Sequence, residues 1–277
     1  MSQNPLSTVE PWDLVSEGYI QELAPVFKKW AADSVKGIPL SSDDEVIDVA
    51  CGPGTVSLMV APLVKQVVAL DFSQKMISAL QQQKSLLNVE NLETHLCDCQ
   101  ALPLESNRFD AAFSQFGLMF FSNRKKGFGE IFRVLKPGGN ISVSSWAPIQ
   151  QSTAMTTMLD ALEAGFKSKM ASPKESRNIV KGLDDKETFV TELEGAGFTD
   201  IRIEEVTHRF PSATPAEYWQ SAVTSSAPIA LMRANMSEAE WAEGEQRAID
   251  CIALHLEEKK EFHSTAYLAF ARKPGCH

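Results

Sequence analysis

Basic charge is scarce in this chain. Lys and Arg total 26 against 36 Asp and Glu, a formal net charge of -10. Such a protein repels a phosphate backbone, so nucleic acid is not an expected partner. The best basic run, Arg124-Lys125-Lys126, is short and reads as the solvated start of a helix. Long apolar runs are missing as well. None approaches the roughly 18 residues that cross a bilayer, so no stable membrane insertion is expected. The opening Met1-Ser2-Gln3-Asn4-Pro5 lacks the basic-then-apolar order of a secretory signal. Cysteine is sparse: Cys51, Cys97, Cys99, Cys251 and Cys276. An odd count with no framework or zinc spacing implies reduced thiols, a cytoplasmic setting and no metal.

What remains is an ordinary globular composition. Hydrophobic residues make up 44% and charged residues 22%, and 277 residues can bury a sizeable core without staples. Residues 9–36 read as a helical lead-in, because Trp12, Val15, Tyr19, Leu23, Phe27 and Trp30 recur at spacings of three and four. Pro25 is expected to kink or split it. From 45 to 146, strand candidates Val46–Ala50, Gln66–Leu70, Glu93–Cys97, Phe109–Ser114 and Asn140–Ser145 alternate with helix candidates Val56–Leu63, Gln74–Leu87 and Asn123–Leu135. Ser73 and Ser122 stand where N-caps belong, and Pro137-Gly138-Gly139 reads as a sharp helix stop. This alternation predicts a parallel sheet with right-handed crossovers.

After Trp146 the alternation fails. Helices are expected at Gln151–Met170, Asp184–Ala196, Ala216–Ala222 and Glu238–Leu256, and strands at Ile201–Phe210 and Ser264–Arg272. The last two strands are far apart in sequence, so the helices between them read as an insertion between paired strands.

One loop carries chemistry. Val46-Ile47-Asp48-Val49-Ala50-Cys51-Gly52-Pro53-Gly54-Thr55 runs from a buried strand through a glycine turn into a helix. Glycine keeps Cβ atoms away from a bound ligand, and the helix N-terminus offers free N–H groups. A glycine pair after a strand is by itself a common turn, so its partners decide. Asp71 ends the next strand, where a carboxylate can accept both hydroxyls of an adenosine ribose; the alternative is a helix cap. Asp98 follows the third strand, where an acid can meet an exocyclic amine; the alternative is an ordinary loop acid. A dinucleotide site wants a third glycine where this chain has Ser57, and has no need of an acid at Asp48. That favours S-adenosylmethionine over NAD.

At this point the chain resembles the class I S-adenosylmethionine-dependent methyltransferases, in the group that includes quinone-biosynthesis C-methyltransferases. Their acid-x-Gly-x-Gly-x-Gly loop matches Asp48, Ala50, Gly52 and Gly54, with Ala in place of the first glycine. Asp71-Phe72-Ser73-Gln74-Lys75-Met76 resembles the ribose-binding turn, and Asp98-Cys99-Gln100-Ala101-Leu102-Pro103 the adenine-binding turn. Phe109-Asp110 and Arg133-Val134-Leu135-Lys136-Pro137-Gly138-Gly139 resemble the family's lead into its fourth and fifth strands.

The resemblance implies an α/β fold: a Rossmann-like, seven-stranded, mostly parallel sheet with an antiparallel last strand, flanked by helices and topped by a helical cap. It implies one domain over 1–277, with a lead-in at 1–44 and a cofactor-binding core at 45–146. Cap segments would occupy 147–198 and 211–262, and the final strand pair 199–210 and 263–273. The cofactor residues implied are Asp48, Ala50, Cys51, Gly52, Gly54, Asp71, Phe72, Met76, Asp98 and Cys99. Gln115 would lie near the methionine part, and Tyr19 would act as a lid.

Phe116, Phe120 and Trp146 are candidates for the acceptor pocket or for core packing, and His208 is a candidate base. Methyl transfer is a direct displacement, so no catalytic triad is required and none is visible. The function expected is methylation of a small-molecule acceptor. The alternatives are a nucleotide-binding oxidoreductase and a non-catalytic binder of S-adenosylmethionine.

Overall fold

A computed structural model of the chain describes residues 4–167, 182–210, 214–258 and 261–275. Seven strands form one sheet: β1 Glu45–Val49, β2 Gln66–Asp71, β3 Leu92–Leu96, β4 Phe109–Gln115, β5 Leu135–Trp146, β6 Thr199–Phe210 and β7 Phe262–Arg272. Their order is β3-β2-β1-β4-β5-β7-β6. The first five run parallel, and β7 pairs antiparallel with both β5 and β6. The expected antiparallel closing strand is therefore present. β-branched side chains explain the centre: Val46, Ile47 and Val49 of β1 are fully buried, as a strand covered on both faces requires.

Between the parallel strands lie α3 (Thr55–Val60), α4 (Gln74–Leu86) and α5 (Arg124–Val134). Ser73 caps α4, accepting the Met76 N–H at 3.2 Å. At α5 the cap is Asn123, whose side chain accepts the Lys126 N–H at 3.0 Å, and Ser122 instead donates to Gln100. Ser and Asn are equally good caps, so spacing alone misplaces this start by one residue.

Pro137-Gly138-Gly139 is also not a simple helix stop. The chain joins the sheet at Leu135 opposite Phe109, loops out, and rejoins at Asn140 opposite Ala111. Gly138 has φ +84°, and its N–H donates to the Lys273 carbonyl at 2.9 Å. A β-bulge thus lengthens the fifth strand beyond its expected start.

The lead-in is split as Pro25 predicts. Helix α1 (Glu10–Gly18) passes through a π-helical turn, Tyr19–Leu23, into α2 (Ala24–Lys36). Pro25 has no N–H to continue the ladder, and the widened turn absorbs the break. Trp30 anchors α2: it is fully buried, and its indole N–H donates to the Val206 carbonyl of β6 at 3.0 Å.

After β5 come α6 (Thr153–Phe166), α7 (Lys186–Gly195), α8 (Pro215–Ser225), α9 (Ala227–Ala234) and α10 (Glu238–Glu258). Helix α7 flanks the sheet beside α5, Phe189 against Phe128, so the expected cap segment 147–198 is a cap only in part. The cap is α6, α8, α9 and α10. The last three form the insertion between β6 and β7. The end of the expected helix at Gln151–Met170 lies outside the described residues. Phe166, Trp219 and Trp241 stack in a separate cap core, with Phe166 and Trp241 centroids 4.8 Å apart. This cap leans on the lead-in: Ala227 packs with Leu6 and Val15, and a Cβ on Gly18 would lie 2.2 Å from the Thr224 carbonyl oxygen. Among the described residues no helix is long and apolar enough to cross a membrane.

The turns after β1 and β4 cross beside the sheet's carboxyl edge. Ala50 adopts φ +56°, a left-handed conformation that costs a residue with a Cβ about 1 kcal/mol or more. Its methyl is accommodated because its neighbour is Gly117; a Cβ there would sit 2.5 Å from the Ala50 Cβ. We expect Gly117→Ala to cost roughly 1–3 kcal/mol in chemical denaturation. Adding Ala50→Gly should recover most of that loss. Additive effects in the double mutant would contradict the crossing.

Candidate active site

The chain reverses its direction of travel across the sheet between β1 and β4, and at such a switch point the carboxyl ends of the strands open a crevice. An open cavity lies there. Its floor takes Ala50 and Gly52 from the turn after β1, Asp71, Phe72 and Met76 from β2 and α4, and Asp98 and Cys99 from the turn after β3. Gln115, Phe116 and Phe120 enter from the turn after β4, and Tyr19 from the lead-in. Candidates from five separate stretches of sequence thus meet around one cavity.

Asp71 is the organising group. It is only 5% exposed. Its Oδ2 accepts the Gly52 N–H and its Oδ1 the Ser73 N–H, both at 2.9 Å. A carboxylate has about four lone-pair sites, so these two bonds leave it capacity to accept from a ligand. Burial pushes its pKa above the ordinary carboxylate value, against the pull of the backbone N–H groups. Gly52 has φ +54°, and a Cβ added there would meet nothing within 4 Å, so the backbone is bare on that side. Burial likewise raises the Tyr19 phenol, with the nearby Asp71 charge adding to the shift.

Two more polar groups are held for use. Gln115 Oε1 accepts the Ser34 hydroxyl at 3.2 Å, while its Nε2 is buried with no hydrogen-bond partner. A buried amide donor left unpaired is costly and calls for an acceptor from a ligand. Asp98 is exposed and accepts the Gln100 N–H at 2.9 Å, leaving its other oxygen only a 3.3 Å contact with the Gln100 amide. Phe116, at φ +53°, is a second strained position facing the cavity. Such strain clusters where surroundings force a functional geometry.

Other candidates support the cavity from outside. Asp48 is buried beneath α3, where its Oδ2 accepts both the N–H and the hydroxyl of Ser57. It ties the loop's helix to β1, and burial pushes its pKa up to about 7. Cys51 is buried and its N–H bonds to the Leu70 carbonyl at 3.0 Å. Gly54, at φ +85°, leaves room for Leu80, whose Cδ1 would lie 2.1 Å from a Cβ.

Trp146 and His208 do not line the cavity. Trp146 stacks behind Phe116, with centroids 4.2 Å apart. His208 Nε2 pairs with Asp33 Oδ2 at 2.7 Å, its ring edge-on to Trp30. These two residues brace α2 against the sheet.

Sequence reasoning missed Leu6, Ser7, Trp12, Gln100, Gly117, Phe121 and Ser122, which also line the cavity. Gln100 lay inside a quoted motif; its Oε1 accepts the Asn123 N–H at 2.8 Å and the Ser122 hydroxyl at 3.0 Å, lacing two turns together. The cap was expected to cover this edge. Instead the lining comes from the lead-in and the turns after the first four strands, and the cap stands behind α1.

Residues 47–143 match the methyltransferase-domain family. The chain is 34% identical over 117 residues to demethylmenaquinone methyltransferase of Oceanobacillus iheyensis, covering 41% of this chain and 49% of that one. It is 28% identical over 185 residues to the ubiquinone/menaquinone biosynthesis C-methyltransferase of Citrifermentans bemidjiense, covering 63% and 79%. The chain thus spans about half the length of the first relative and about four-fifths of the second. In fold it is similar to Haemonchus contortus phosphoethanolamine N-methyltransferase 2 in complex with S-adenosyl-L-methionine. There the TM-score is 0.56 at 20% identity, over 89% of this chain and 52% of that one. Over residues 47–143, therefore, the chain is similar to the methyltransferase-domain family.

Proposed function

We propose that this protein is an enzyme that transfers the methyl group of S-adenosylmethionine to an uncharged, apolar small molecule. The observation that carries this reading is Asp71, buried at the cavity floor with both oxygens half-used by backbone N–H groups. Its remaining capacity to accept suits the two hydroxyls of a ribose. Gly52 leaves the backbone bare beside it, Gln115 Nε2 offers an unpaired donor for the cofactor's carboxylate, and Asp98 can take the adenine amine. Asp48 acts through the loop it holds. Bound there, the cofactor supplies a methyl group already activated on a sulfonium.

The chain's own part is alignment and exclusion of water. Beyond the ribose turn the cavity wall is mainly Leu6, Trp12, Phe116, Phe120 and Phe121, with Ser7, Gln100 and Ser122 beside them. Among the described lining residues there is no Lys, Arg or His, which disfavours a phosphorylated acceptor. An aromatic acceptor of the quinone class fits this wall and accords with the names of the relatives. An acceptor with an acidic hydroxyl of its own would need no protein base. The dinucleotide reading is disfavoured because Ser57 is fully buried and committed to Asp48. In this reading all of 1–277 acts as one domain with a lead-in and a cap, in the reducing cytoplasm; the free thiols Cys51, Cys97, Cys99 and Cys251 are consistent with that setting.

Calorimetric titration should show S-adenosylmethionine binding at micromolar concentration, with Asp71→Asn weaker by about tenfold or more, the scale of losing charge-assisted hydrogen bonds. No heat at high micromolar cofactor would refute the reading. The same titration should depend on pH in one direction. The ionised carboxylate is the form that accepts both hydroxyls, and its pKa is raised. Affinity should therefore fall on acidification, beginning while ordinary carboxylates are still ionised. Asp71→Asn should lose that dependence.

A further inference from the structure

The polar contacts between α1 and the ribose turn converge on a residue to which no role has been given. Asp13 follows Trp12 on α1, the helix that leads on to Tyr19, and both of those aromatics line the cavity. Asp13 Oδ1 accepts the Ser73 hydroxyl at 2.6 Å. Lys75 Nζ donates to the Asp13 carbonyl at 2.8 Å. Ser73 is fully buried and does three things at once. Its hydroxyl hydrogen goes to Asp13, its hydroxyl oxygen accepts the Met76 N–H at 3.2 Å, and its own N–H goes to Asp71 Oδ1 at 2.9 Å.

A serine hydroxyl has one hydrogen. While Asp13 takes it, the oxygen lone pairs face Met76 and the turn keeps the form that aims its N–H at Asp71. A continuous hydrogen-bonded chain thus runs from the cavity's outer wall to the carboxylate on its floor. On its far side α1 is held by Val15 against Leu6 and Ala227 and by the close approach of Gly18 to the Thr224 carbonyl, contacts with the lead-in and the cap rather than with the ribose turn. Asp13 and Lys75 supply the polar link to the ribose turn.

We propose that Asp13 is a positioning residue for cofactor binding. It clasps α1 to the ribose turn, so that the wall bearing Trp12 and Tyr19 stays closed over the cofactor and Asp71 stays aimed at it. This proposal rests on the S-adenosylmethionine reading of the cavity. Its effect falls on retention of the nucleoside rather than on the methyl-transfer step.

The test uses the full chain and S-adenosylhomocysteine, with affinity from calorimetry and release followed by tryptophan fluorescence on displacement. Asp13→Ala should bind about tenfold more weakly and release about tenfold faster, the scale of one lost charge-assisted hydrogen bond. Asp13→Asn keeps an oxygen for the Ser73 hydroxyl and should stay within about twofold of the parent. Glu17→Ala removes the same charge from an exposed position of α1 and should change nothing. Lys75→Met frees the second tether from the surface and should speed release by about threefold, which keeps the test open if Asp13→Ala does not fold. The clasp is refuted if Asp13→Ala or Lys75→Met matches the parent, or if Asn is as weak as Ala. A parent that does not bind S-adenosylhomocysteine overturns the cofactor reading and the clasp together; a binding parent with an unaffected Asp13→Ala overturns the clasp alone.

Discussion

Everything in the cleft depends on one buried carboxylate that is held but not satisfied. Asp71 ends β2 in the sheet's interior, where ionisation is costly, and the Gly52 and Ser73 N–H groups offset part of that cost. These bonds also fasten the glycine loop to the turn after β2. Two loops distant in sequence become one rigid rim. The geometry that supports the carboxylate leaves it capacity to accept from a ligand in the cavity.

Around that rim the structure accepts local strain. Ala50 and Phe116 hold positive φ, and each is forced there by a neighbour. Gly117 makes space for the Ala50 methyl, and Trp146 stacks on the Phe116 ring while Ser144 accepts the Phe116 N–H at 2.9 Å. Family loops place glycine where this chain has Ala50. The missing hydrogen has in effect been moved to Gly117, on another strand's turn. A direct displacement needs reacting groups held in line, and a stiff rim is what alignment requires.

The sheet was legible because its signals are local: β-branched runs, glycine turns and N-caps lie within a few residues of the structure they specify. The floor of the cleft was legible for the same reason, since Asp71 and Asp98 follow strands directly. Tyr19 lines the cavity, and only the family resemblance pointed to it. The outer wall was not legible. Leu6 and Trp12 reach the cavity because the cap presses α1 against it at Gly18 and Ala227, a contact that joins distant segments. Trp146 and His208 look like site residues in sequence, but aromatic and histidine side chains also brace cores, and only packing distinguishes the two uses. Asp48, expected among the cofactor residues, lies beneath the loop and holds it through Ser57.

The most direct test is a crystal structure of the protein with S-adenosylhomocysteine. The account requires the ribose at the end of β2, both hydroxyls within hydrogen-bond distance of Asp71, and the Gln115 amide donating to the ligand's carboxylate. A ribose bound elsewhere, or an Asp71 carboxylate turned away from it, would contradict the assignment.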